Sequence, residues 1–158
     1  MFMNDRYFRN DLVELLLGGS AHIDYKKALE DINPELRNFR GAPNIHSIYE
    51  ELAHMQIAQE DIYRYTIDSN WKSPEWPEGY WPDDNDSLTD EIWSETCNAF
   101  YKDLQNVVDL VNDERFDLTA TIPHGEGRTY LREILLVADH NAYHIGKIID
   151  IRKILGDW

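Results

Sequence analysis

The sequence predicts an all-α fold, a four-helix bundle with a long aromatic loop between its second and third long helices. Four long segments repeat apolar side chains at steps of three and four, the spacing that lines one face of a helix. Short polar residues or glycines stand where those segments begin or end, and no convincing sheet accompanies them. At 158 residues the chain is long enough for one hydrophobic core and short for two, so a single domain over 1–158 is expected.

The first helix is expected from about Asp5 to Leu17, with Phe8, Leu12, Leu15 and Leu16 on one face and Gly18-Gly19 as its stop. Tyr25, Leu29 and Ile32 mark a connecting turn or two of helix over Asp24 to Ile32, ended by Pro34. His22 falls in a loop. The second long helix begins within Pro43 to Ser47, with Asn44 or Ser47 as cap. It carries Ile48, Leu52, Met55, Gln59 and Ile62 to about Ile67. From Asp68 to Asp86 the periodicity breaks at Pro74, Pro77, Gly79 and Pro82, yet the loop holds Trp71, Trp76, Tyr80 and Trp81, rings that must be buried somewhere.

Helical spacing resumes from Ser87, a candidate cap, through Leu88, Ile92, Phe100, Leu104, Val107, Val108 and Val111. Leu118 to Ile122 reads as a short extended stretch, closed by Pro123 and two glycines. The last helix starts near Arg128 or Thr129 and carries Leu131, Ile134, Val137, His140, His144, Ile148, Ile151 and Leu155 before Gly156.

Thirty acidic against fifteen basic side chains give a formal charge of −15, which argues against nucleic acid as a partner because phosphate contacts need clustered Lys and Arg. Residues 1–10 lack the apolar core of a signal peptide, and no apolar run approaches membrane-spanning length, so no membrane partner is expected. A single cysteine, Cys97, rules out an internal disulfide and a multi-cysteine zinc site and suits a reducing compartment. A cytoplasmic protein is expected.

His140 and His144 lie four apart within the apolar stripe of the last helix, one turn above another. Unpaired imidazoles there would carry a desolvation cost that either a metal or hydrogen bonds from the core could offset. A third metal ligand must come from another helix. His54 is the candidate, in line with Ser47, Glu51, Ala58 and Asp61 as a polar seam; the other reading is a solvent-facing histidine on an acidic face. His46 belongs to the helix entrance and His124 to the loop before the last helix.

The stretch Ile45-His46-Ser47-Ile48-Tyr49-Glu50-Glu51-Leu52-Ala53-His54-Met55 resembles the second-helix signature of the DinB-like family. Asp139-His140-Asn141-Ala142-Tyr143-His144-Ile145-Gly146-Lys147, followed by Arg152-Lys153-Ile154-Leu155-Gly156, resembles its fourth-helix signature. Trp76-Pro77-Glu78-Gly79-Tyr80-Trp81-Pro82 is similar to a Trp-Pro motif in the connecting loop of many members, and Gly127 to Glu133 to the entry of the last helix. The resemblance spans about Asp5 to Gly156. It implies an up-up-down-down bundle in which His54, His140 and His144 bind a divalent metal ion, commonly nickel or zinc. Lys147 is a departure: relatives often have glutamine after the glycine, a change that touches no ligand but alters the mouth of the site.

Two enzymatic precedents come with the resemblance: transfer of low-molecular-weight thiols such as bacillithiol or mycothiol to electrophiles, and metal-dependent hydrolysis or isomerisation. A metal-dependent transferase or hydrolase acting on a small-molecule substrate is therefore expected, with a non-catalytic metal-binding stress-response protein as the alternative. Glu51 and Asp139 are candidates to orient imidazoles or handle protons, against their reading as ordinary surface carboxylates. A homodimer is expected by analogy with the family. The loop from Trp71 to Pro82 either packs beside the metal mouth as part of a substrate pocket or clasps the ends of the second and third helices.

Overall fold

The computed structural model describes residues 3–83 and 88–158. Among them are four long helices and one short one: α1 (Met3–Leu17), α2 (Tyr25–Leu29), α3 (Ile48–Ile67), α4 (Asp90–Asn112) and α5 (Tyr130–Leu155). No strand forms among the described residues; one isolated antiparallel bridge joins Thr121 to Thr129. None of the helices is long and apolar enough to cross a membrane. The expected all-helical bundle is what the chain forms.

Helices α2 to α5 each start where a short side chain can take up free amide hydrogens. Asp24 accepts from Lys27 N, and Thr129 accepts from Arg132 N. Ser47, rather than Asn44, caps α3 in a reciprocal box with Glu50, whose carboxylate accepts the Ser47 amide in return. Helix α4 starts later than the apolar pattern suggests. Thr89 caps it through Ile92 N, which leaves Leu88 ahead of the helix, while Ser87 lies outside the described residues. Gly156 ends α5 in the left-handed region at φ 73°, which a side chain would disfavour.

Helix α3 packs mainly against α4 and α5, with Leu52, Met55, Phe100 and Ile148 fully buried between them. Two buried arginines fasten the periphery. Arg9 of α1 donates to the carbonyls of Val111, Asp113 and Phe116 at the end of α4, and Arg152 of α5 donates to those of Ala28 and Glu30 at the end of α2. The stretch expected to be extended from Leu118 turns instead. The Asp117 side chain takes both the amide and the hydroxyl of Thr119, its carbonyl takes the Ala120 amide, and only Thr121 keeps a bridge.

Candidate metal centre

The seam Ser47, Glu51, His54, Ala58, Asp61 runs at steps of four and three, so all five side chains share one face of α3. That face is turned inward: all five are buried, and His54 is 4% exposed. The reading of His54 as a solvent-facing residue on an acidic face is thereby overturned. Opposite it, α5 presents His140, partly buried, and His144, buried. One ring nitrogen from each of His54, His140 and His144 lies within 4.8 Å of the other two, a cluster that could hold a metal ion.

Hydrogen bonds settle the tautomers of two rings. His54 Nδ1 is 2.8 Å from the Tyr80 carbonyl and must donate to it, and His144 Nδ1 is 2.5 Å from Glu51 Oε2 and donates likewise. Both rings are left with the lone pair on Nε2. His140 Nε2 lies 3.0 Å from His54 Nε2, and His140 Nδ1 is buried with no hydrogen-bond partner. A single proton on His140 Nε2 can bridge these two nitrogens, at the place that a shared cation would take. A divalent cation fits this donor set, because neutral imidazoles are ligands that zinc and nickel accept.

Charge follows the same logic. Burial, helped by the neighbouring His144 and His54, lowers the His140 pKa to about 4. Burial also lowers that of His54, against the opposing bond to Tyr80. Both rings are neutral at pH 7. Glu51 is fully buried, which works to raise its carboxyl, but the bonds from His144 and Lys147 outweigh burial and hold it below the ordinary value. Lys147 Nζ forms an ion pair with Glu51 Oε1, so one carboxylate links the His144 ring to an ammonium at the surface.

The loop after α3 closes one side of the cluster. Asp61 accepts from Trp71 Nε1 at 2.8 Å and from the Tyr80 hydroxyl at 2.6 Å, tying the loop to α3 at two points. Trp81 then lies parallel between two imidazoles, with its ring centroid 4.1 Å from that of His54 and 3.8 Å from that of His46. An open cleft of about 590 Å³ stands over the triad, with His46, Trp76, Tyr80, Trp81, Tyr143 and Lys147 among its walls.

The family model of the DinB superfamily matches residues 22–148. The chain belongs to the DinB superfamily. No curated protein and no solved structure matches it.

Within this DinB-superfamily chain, the three histidines expected to act together are the three that converge. Glu51 joins them through His144, whereas Asp139 is exposed on α5 and meets none of them. The aromatic loop packs beside the triad and is tied to α3. Trp71 and Tyr80 act as the clasp, while Trp76 and Trp81 line the cleft. His124 stays apart, with Nε2 2.6 Å from the Tyr65 carbonyl. The residue that sequence reasoning missed is His46, which reaches the cleft by stacking on Trp81 and so has no helical spacing signal.

Proposed function

We propose that this chain is a metal-dependent transferase or hydrolase of a small molecule, with thiol transfer as the foremost reaction, and that His54, His140 and His144 hold a nickel or zinc ion. The observation that supports this most is the convergence of three imidazoles at the floor of an open cleft. Three protein donors, rather than four, are what catalytic sites provide, because a position must remain for the reactant. When bound, such an ion supplies Lewis-acid polarisation of an oxygen or sulfur donor. The chain's own groups do the rest. Tyr80 O and Glu51 fix the His54 and His144 tautomers, Trp81 packs the His54 ring in place, and the loop clasped by Asp61 walls off one side of the cleft.

The protein purified without an affinity tag is expected to carry about one divalent ion per chain, lost in His140→Ala and His144→Ala. Equal metal retention in all three single His→Ala variants would remove the triad. A panel of low-molecular-weight thiols and electrophiles, run with nickel, zinc or manganese restored, then tests turnover. A metal-replete protein inert across that panel would favour the non-catalytic stress-protein role. The same reading takes the chain as a homodimer, with Tyr7 and Leu15 of α1 among the large apolar side chains left exposed. Only monomer in sedimentation equilibrium at micromolar concentration would overturn the dimer.

A further inference from the structure

The walls of the cleft combine features that the metal site does not explain. Trp76 and Tyr143 are 68% and 64% exposed, among the most exposed large apolar side chains described, and both line the cleft. Aromatic rings left in water on the walls of a cavity are a surface for a flat apolar group. Among the described residues lining the cleft, Lys147 is the one lysine or arginine. Its Nζ lies 5.6 Å from the Tyr143 ring centroid, and its side chain is 33% exposed. An ammonium has three N–H donors, and the pair with Glu51 occupies one.

The carboxylates nearby keep their negative charge, but each is already engaged by donors of its own. Glu51 is fully buried beneath Lys147 with His144 on its other oxygen, and each oxygen of Asp61 already accepts a donor, from Trp71 or from Tyr80. Although the chain carries a net charge of −15, repulsion from distant carboxylates is screened within about 8 Å at physiological salt, so the local cation decides.

We infer that the cleft selects small organic anions with a flat apolar body, such as aryl carboxylates, and that Lys147 is the residue that selects the charge. The inference rests on the reading of the cleft as the substrate site. Trp76 and Tyr143 take the flat body, and the free donors of Lys147 take the carboxylate.

Because bound zinc would itself attract a carboxylate, calorimetric titration of the protein after chelation of its metal, with 2-naphthoate and with its neutral analogue 2-naphthylmethanol, tests this. The naphthoate is expected to bind at least about tenfold more tightly, equivalent to about 1.4 kcal/mol. Lys147→Arg is expected to keep the preference and Lys147→Gln to lose it. Raising the salt concentration should weaken the naphthoate and spare the alcohol, a readout that needs no variant. Equal binding of both compounds by the wild-type protein overturns the inference, as does a preference undiminished in Lys147→Gln. Zinc uptake measured on each sample separates this from the metal assignment. Protein that takes up zinc when it is restored but lacks the preference when metal-free sinks the Lys147 role alone, and protein that takes up no zinc yet shows the preference sinks the metal site alone.

Discussion

Glu51→Gln removes a charge while keeping the shape of the side chain, and the contacts of Glu51 determine the cost of that change. The carboxylate accepts from His144 Nδ1 through one oxygen and is ion-paired with Lys147 Nζ through the other, inside a fully buried position. A glutamine has one accepting oxygen. If that oxygen stays with His144, the new amide NH₂ faces an ammonium. If it turns to Lys147, the NH₂ faces His144 Nδ1, which must give up its proton and carry it on Nε2 instead, where it blocks the lone pair a metal needs. Replacing such an outer partner of a metal-binding histidine typically costs about 10- to 100-fold in affinity, or about 1.4–2.8 kcal/mol. The metal-free protein should also lose on the order of 2 kcal/mol from the charged hydrogen bonds, moderated because Lys147 can turn toward solvent. At roughly 2–4 °C per kcal/mol for a chain of this size, that is a fall of about 4–8 °C in Tm. Zinc affinity measured by competition with a chelator, beside a thermal melt, gives both quantities. Asp139→Asn, at an exposed position, should match the wild type in each. A zinc Kd for Glu51→Gln within about twofold of the wild type would refute the coupling of Glu51 to the site.

Three further outcomes are expected. The metal-free protein should lose stability as pH falls from 6.5 toward 4. The buried His140 protonates only near 4 and His54 also below its ordinary value, so the unfolded chain takes up protons first; bound zinc, which needs neutral rings, should oppose the loss, and chemical denaturation across that range reads both. Gly79→Ala places a Cβ 2.8 Å from that of Pro74, where the loop doubles back, and should cost about 1–3 kcal/mol by overpacking, seen as a lower Tm; an unchanged Tm would show that the loop yields there. Trp81→Ala removes the ring between His46 and His54 and should weaken binding of 2-naphthoate while leaving zinc content intact; normal binding with a large loss of Tm would make Trp81 structural alone.

The helices were legible in the sequence because they depend on local periodicity, whereas the triad was reached through the resemblance to the DinB-like family. A repeat of three and four residues places side chains on one face whatever the rest of the chain does, so the seam of α3 and the stripe of α5 could be read directly. Whether the seam faced the core or the solvent could not, because Glu51 and Asp61 look like surface residues until their partners are known. Those partners are His144 and Lys147 from α5, and Trp71 and Tyr80 from the loop. Local competition misled in two places. At α4, Thr89 offers the same capping chemistry as Ser87 two residues later, and at Leu118 the Asp117 side chain captures backbone groups that an extended strand would have used.

The loop shows why a site can be partly legible while its specificity is not. No periodicity relates Trp81 to His46 or His54, yet the three rings stack because Asp61 anchors Trp71 and Tyr80 and the chain between them has few ways to run. Gly79 shortens those ways further, since its approach to Pro74 leaves no room for a side chain. The Tyr80 hydroxyl, its pKa raised to about 12 by burial and by Asp61, keeps its proton at neutral pH and so remains a donor to Asp61 there. Tyr80 also gives its carbonyl to His54, so the residue that fastens the loop is the one that sets the tautomer of a ring in the cluster. Loop closure and ligand readiness are thus one structural event, and a change that frees Tyr80 from Asp61 should loosen His54 as well as the aromatic wall. Asp61→Asn is the variant that separates them. An asparagine oxygen can still hold one of the two donors, so zinc affinity should fall less than in His54→Ala while protease cleavage within the loop rises; zinc affinity unchanged alongside rapid loop cleavage would show that His54 keeps its orientation without the clasp.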